Sequence, residues 1–115
     1  MSGPFVWFHH NGAKSKETRK FFESLFEWKP SDGPDGMTML TVEGGPFAAL
    51  GSKSDRYGDN DEWIPFVAVD DVDGATKRAL SLGATLVREK RRGPAGDFSI
   101  VRDPGGASLG LWKKA

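Results

Sequence analysis

Two adjacent histidines, His9 and His10, are the only imidazoles in the chain, and there is no cysteine to join them. Imidazole is the side chain whose ordinary pKa lies nearest neutral pH, so a histidine is the first place to look for proton transfer. Both residues close the run Phe5 to His10, which is aromatic and β-branched as strands prefer. Neighbours on a strand point to opposite faces, so this pair cannot grip one metal ion together. His9 is then either a polar handle or proton carrier for a bound molecule, or a hydrogen-bonded histidine without chemistry. No carboxylate beside it in sequence orients the ring, which weighs towards the second. The lack of cysteine excludes disulfides, thiolate catalysis and cysteine-based zinc sites.

Other chemistry is sparse. Arg88-Glu89-Lys90-Arg91-Arg92 is a basic cluster ahead of Gly93-Pro94-Ala95-Gly96. It could cap a cavity and attract an acidic ligand, or be a solvated hairpin. No phosphate loop of the form GxxxxGK[ST] is present, and neither glycine pair, Gly44-Gly45 nor Gly105-Gly106, opens a helix. No Ser/His/acid arrangement can be read out. The 16 basic and 16 acidic residues cancel, leaving no overall field to draw nucleic acid or an anionic membrane. The apolar stretch Pro4 to Phe8 is too short for a secretory core or a membrane span. The chain is therefore expected to be soluble, cytoplasmic and complete, with no nucleic-acid or membrane partner.

The positioning elements follow from pattern. Its 115 residues make one domain. After the first strand, a helix is expected from about Lys16 to Glu27, with Ser15 as N-cap and an apolar stripe of Thr18, Phe21, Phe22, Leu25 and Phe26. Ser31 to Gly36 is turn chemistry. Met37 to Glu43 and Pro46 to Gly51 read as strands around Gly44-Gly45. The polar stretch Ser52 to Glu62 reads as a linker, after which the pattern restarts. Trp63 to Val69 is a strand, and Asp70-Asp71 caps a helix carrying Val72, Ala75, Ala79 and Leu80. Gly83 is its C-cap. Strands are expected at Ala84 to Glu89, Asp97 to Arg102 and Ala107 to Trp112, with Lys90 to Gly96 a loop. Thr18-Arg19-Lys20 is echoed by Thr76-Lys77-Arg78, and Gly44-Gly45 by Gly105-Gly106, so the halves read as a repeat.

Several segments carry a family resemblance. They are Phe5-Val6-Trp7-Phe8, Phe21 to Trp28, Trp63 to Asp73, Leu82-Gly83-Ala84, and Asp103-Pro104-Gly105-Gly106-Ala107 running to Leu111-Trp112. In this order they resemble the glyoxalase/bleomycin-resistance/extradiol-dioxygenase group, the vicinal-oxygen-chelate superfamily. The likeness is nearest to its glyoxalase-like subgroup without the metal ligands. The resemblance implies an α+β fold: two tandem βαβββ modules forming a half-open curled sheet, barrel-like, around a cavity. Module one would span about 4–52, the linker about 53–61 and module two about 62–113. In metal-dependent members four side chains on the first and last strands hold a divalent ion. The corresponding positions here fall on Trp7, Ala49, Ile64 and Gly110, none of which can bind a metal.

The resemblance places Trp7 on the cavity side, and by alternation His9 as well, with His10 facing away. Phe66 shares a face with Ile64, and Ser108 and Trp112 share one with Gly110. The expected ligand-binding residues are thus Trp7, His9, Phe66, Ser108 and Trp112, with His9 the one catalytic candidate and no metal or cofactor. The function implied is metal-independent binding of a small apolar or aromatic molecule, with sequestration or resistance as a possible role. The alternative is a lyase or isomerase of the glyoxalase/dioxygenase type, using His9 or an atypical metal site. A second copy of the chain is the expected protein partner, because a half-open sheet leaves edges and apolar faces to cover.

Overall fold

In the computed structural model, which describes residues 3–53 and 56–115, the opening aromatic run is strand β1 (Phe5–Gly12). Helix α1 (Ser15–Leu25) follows, then β2 (Lys29–Asp32), a 3-10 turn at Pro34–Gly36, β3 (Thr38–Val42) and β4 (Gly45–Ser52). The second half repeats the order: β5 (Glu62–Ala68), α2 (Val72–Ser81), β6 (Thr85–Gly93), β7 (Gly96–Arg102) and β8 (Ser108–Lys114). Each half is a βαβββ unit, as the sequence leads one to expect.

All eight strands join one mixed sheet in the order β2-β3-β4-β1-β5-β8-β7-β6. The order in one half mirrors that in the other. Within each half the first and last strands run parallel, β1 with β4 and β5 with β8. The halves meet where β1 and β5 pair antiparallel, Trp7 opposite Phe66 and His9 opposite Ile64. The sheet is curled but not closed, since β2 and β6 remain at its two ends.

Strand alternation gives the sheet two different faces. On β4, Ala48 and Leu50 turn to α1 and pack with Phe22 and Leu40, bordered by Trp28 and Phe47. Ala49 points the other way, towards the hollow of the sheet. There a second cluster forms from Ile64, Phe66, Phe98 and Ile100, bordered by Trp7, Tyr57, Val87 and Trp112. Gly110 sits opposite Phe66 in the β5–β8 pairing, and a Cβ there would be driven into the Phe66 ring. Among the described residues no helix is long and apolar enough to cross a membrane.

Several local expectations need correction. Lys14, not Ser15, is the N-cap of α1, and the Ser15 hydroxyl instead lies 3.3 Å from that of Ser52 at the end of β4. The helix stops at Leu25 because Phe26 is already extended, its ring stacked on Trp28 at 4.4 Å. Of the apolar stripe only Phe22 is buried, while Phe21, Leu25 and Phe26 stay exposed. Lys29–Asp32, read partly as turn, is an edge strand, where Pro30 costs no ladder bond. The basic stretch is not a loop: β6 continues to Gly93, pairing Arg91 with Phe98 and Arg92 with Asp97, and only Pro94-Ala95 turns. The expected linker includes Ser54 and Asp55, which lie outside the described residues.

Candidate functional site

His9 stands in the middle of the sheet, between Ala49 of β4 and Ile64 of β5. It is 2 % exposed. Its ring lies over Gly51, where a Cβ would come within 2.9 Å of both Cε1 and Nε2, so the close approach depends on glycine. Nε2 is buried and has no hydrogen-bond partner among the described residues. Burial, helped by the nearby charges of His10 and Arg56, lowers the His9 pKa from 6.5 to about 4. At neutral pH the ring is therefore an uncharged imidazole, with one nitrogen a donor and the other an acceptor. His10 takes the opposite face, edge-on to Trp63 at 4.9 Å and to Phe22 at 6.4 Å. Burial lowers its pKa too, partly offset by Asp61.

The residue that covers His9 comes from the polar stretch between the two halves. Tyr57 stacks on the imidazole with ring centres 3.7 Å apart and planes 18° apart. It also stacks with Phe98, with ring centres 5.3 Å apart and planes nearly parallel at 9°. Burial raises the Tyr57 pKa, with Arg56 opposing. The backbone on either side is tied down. Asn11, wholly buried, donates from Nδ2 to the carbonyls of Gly58 and Asn60, 3.0 Å each. Asp61 accepts from the Ala13 amide at 2.9 Å. Arg56 donates to the Arg92 carbonyl at 2.8 Å and pairs with Asp35 at 3.4 Å. Sequence reasoning passed over Tyr57 as linker. The available signal was a lone aromatic, the only tyrosine in the chain, inside SKSDRYGDNDE.

These side chains border a cavity of about 520 Å³ in the hollow of the sheet. Four of the five expected ligand-binding residues, Trp7, His9, Phe66 and Trp112, line it, together with Ala49, Tyr57 and Phe98. Met37 and Met39 line one flank, and the Gly93–Gly96 turn of the β6–β7 hairpin another. Ser108 is the exception: it is not part of the lining, and its hydroxyl donates to Glu62 at 2.8 Å. Ser108 sits at the start of β8, four residues before Trp112, the first residue of that strand to line the cavity. The basic cluster does not present a bare cationic rim. Lys90 pairs with Asp73 at 2.7 Å, Arg88 with Asp59 at 3.6 Å and Arg92 with Asp97 at 3.8 Å.

With this architecture in view, the comparisons with known proteins are decisive for the family. A model of the glyoxalase-like domain matches residues 8–111. The chain belongs to the glyoxalase-like domain family. CFP32 of Mycobacterium tuberculosis, provisionally named a glyoxylase, is 30% identical over 115 residues, covering 93% of this chain and 44% of its own length. DnrV of Streptomyces peucetius, an anthracycline biosynthesis protein, is 25% identical over 130 residues, covering 97% of this chain and 47% of its own. This glyoxalase-like chain thus spans a little under half the length of these relatives. Among solved structures, the Mn(II)-bound glyoxalase of Novosphingobium aromaticivorans superposes with a TM-score of 0.67 at 13% identity, over 98% of this chain and 40% of that one. A member of the glyoxalase/bleomycin resistance protein/dioxygenase superfamily from Vibrio splendidus gives 0.65 at 15% identity, over 99% and 100% of the two chains. At such identities the likeness speaks for the fold.

A divalent ion of the kind that the Novosphingobium glyoxalase binds does not suit the residues of this glyoxalase-like chain. The four positions expected for ligands carry indole, methyl, alkyl and no side chain: Trp7, Ala49, Ile64 and Gly110. They also divide between two neighbouring rows of the sheet, Ala49–His9–Ile64 and Trp7–Phe66–Gly110. Among the described residues no three His, Asp or Glu side chains come together in a way that could hold a metal. His9 is the single imidazole of the cavity, and one neutral nitrogen does not make a metal site.

Proposed function

We propose that this glyoxalase-like domain binds a small apolar or aromatic molecule in the hollow of its sheet without the help of a metal. The observation that carries this reading is the cavity itself. Its size is that of ordinary small-molecule sites, and its walls are mostly aromatic and aliphatic with a few polar groups, the usual composition of such sites. Burying a flat apolar molecule there gains roughly 25 cal/mol for each Å² of apolar surface removed from water. The two relatives named for glyoxylase activity and for anthracycline biosynthesis both concern small organic molecules, which is in keeping with the reading. Sequestration is one role such binding could serve, and the cytoplasm is where we place it.

Binding to the native state alone raises stability by mass action. A thermal-unfolding series with 2-naphthol is expected to raise Tm progressively with ligand concentration. A flat response up to millimolar probe, with Trp7 and Trp112 fluorescence unchanged, would remove the proposal. Elemental analysis of dialysed protein is expected to find far less than one Zn, Ni, Fe or Mn per chain. About one retained equivalent of any of these would overturn the metal-independent part.

One observation favours a second reading. The buried, neutral His9, whose Nε2 has no hydrogen-bond partner among the described residues, has the character of a proton acceptor inside an apolar pocket. On this reading the domain is a lyase or isomerase of the glyoxalase type. Turnover of a reactive carbonyl substrate that is lost in His9→Gln and kept in His10→Gln would support it over simple binding.

A further inference from the structure

The walls of the cavity are apolar, but the charge around it is unevenly placed. Trp7, Phe66, Phe98 and Trp112 supply aromatic surface. The face of an aromatic ring attracts a cation, so rings alone would suit a cationic guest as well as a neutral one. The charged side chains decide between these and a third class. Among the described residues the lining holds no Asp or Glu, and its one charged side chain is Lys114. Lys114 follows Trp112 by two positions on β8, so alternation sets both on the hollow side, with Lys113 turned away opposite Asp97. Lys53 and Lys90 are held in ion pairs, whereas the exposed Lys114 makes none among the described residues.

A second cation stands at the same end of the hollow. Lys114 pairs with Gly96, and Gly96 with Gly93. Arg92, the neighbour of Gly93, offers its carbonyl to Arg56 at 2.8 Å. The β6–β7 turn thus has Arg56 on one side and Lys114 on the other. The backbones of Gly93 and Lys114 are two strand spacings apart, about 10 Å. A Cβ on Gly96 would fall on the Lys113 carbonyl, and one on Gly93 would come within 3.0 Å of the Phe98 ring, so these two rim positions stay without side chains.

Asp35 partly counters Arg56 at 3.4 Å. The guanidinium is still felt inside the cavity. Its charge pulls down the pKa values of both His9 and Tyr57, and at Tyr57 it acts more strongly than Asp35. His9, buried and neutral, adds no charge of its own at pH 7. The hollow is therefore apolar within and positive at one end, and neither cation comes from the ion-paired residues Arg88, Lys90 and Arg92 of β6.

An ionised group is costly to bury without a partner, so a charged ligand keeps its charge at the rim. We infer that the cavity takes flat aromatic acids, with the ring system in the hollow and the carboxylate at the rim beside Lys114, in the field of Arg56. This rests on the cavity-binding reading above and deepens it by naming the ligand class. The lysine is a compact charge on a flexible stem, which follows a carboxylate without imposing a fixed geometry. An exposed ion pair contributes modestly, so Lys114 selects among ligands while burial of the ring supplies most of the affinity.

Calorimetric titration of the full chain at neutral pH and low ionic strength tests this with three probes of one shape. They are 2-naphthoate, its uncharged counterpart 2-naphthamide, and the cationic 2-naphthylmethylamine. The native protein is expected to bind 2-naphthoate about fivefold tighter than 2-naphthamide, the upper end for an exposed ion pair. Molar salt is expected to remove most of that margin by screening. Lys114→Gln is expected to bring the margin below about twofold through weaker binding of 2-naphthoate. Lys113→Gln, on the opposite face, is expected to keep it. Equal binding of 2-naphthoate and 2-naphthamide, or tightest binding of the amine, would overturn the acid class and leave cavity binding standing. A margin that survives Lys114→Gln, or falls as far in Lys113→Gln, would overturn the place given to the carboxylate. Binding of none of the three probes would sink the cavity reading itself, and this inference with it.

Discussion

His9 illustrates how a single residue takes its properties from its surroundings. On the sequence it is one of two adjacent histidines, set apart from His10 only by the face it is expected to take. In the fold it is buried over Gly51 and under Tyr57, and its pKa drops to about 4, chiefly through loss of solvation. The unfolded chain, with its ordinary value near 6.5, takes up a proton first as pH falls. Stability from this group is therefore fully present above about pH 6.5 and is lost as pH falls towards 4. The whole loss is roughly 3 kcal/mol. Denaturant unfolding at a series of pH values is expected to show a steeper decline for the native protein than for His9→Gln over this window. Parallel curves would mean that His9 is solvated in a way its burial does not suggest. His10 contributes in the same direction, which is why His9→Gln, with His10 retained, is the right comparison.

At the scale of elements, the segment between the halves is as much a part of the cavity as the strands are. Asn11 at the end of β1 holds it by two hydrogen bonds to backbone carbonyls, and its own side chain is wholly buried. Asn11→Ala leaves the buried Gly58 carbonyl without this partner. A loss of about 1–3 kcal/mol in unfolding free energy is expected, together with faster proteolysis between Lys53 and Asp61. A change within about 0.5 kcal/mol, the range of an ordinary surface substitution, would show that the anchor contributes little. The β6–β7 hairpin closes another flank through Gly93–Gly96, and Gly96 has a φ of +141°, a conformation that side chains disfavour. Backbone with such requirements lets a short hairpin border the hollow without a side chain filling it.

At the scale of the whole molecule, the open sheet leaves much apolar surface uncovered. Phe5, Phe21, Leu25, Phe26 and Leu82 are all more than a third exposed. Phe21 and Leu25 lie one turn apart on α1, and exposed apolar residues grouped in this way, unlike scattered ones, mark an interaction surface. We propose that a second copy of the chain covers part of it, since two-fold pairing is the commonest way for identical chains to associate. Light scattering at micromolar concentration is expected to give twice the chain mass, and Phe5→Ser/Phe21→Ser is expected to shift the population towards monomer. A native protein that stays monomeric throughout would exclude the pairing.

The repeat and the strand polarity were legible in the sequence because each depends on short-range rules, whereas the helix faces were not, since only Phe22 of the α1 stripe is buried. Alternation put Trp7, His9, Phe66 and Trp112 on the hollow side and His10 on the other. The family was legible too, through the order of motifs from Phe5 to Trp112. Tertiary structure alone decided the rest. Nothing local could show that Tyr57 folds back from a polar stretch to stack with both His9 and Phe98, residues 48 and 41 positions away. Nor could alternation show that Ser108 falls short of the hollow and bonds to Glu62, because a face is a property of a strand while a cavity has ends. Pattern along the chain specifies direction; only the register between strands and the path of the connecting segment specify what meets what. For this protein those long-range pairings bury His9 and leave its Nε2 without a hydrogen-bond partner among the described residues.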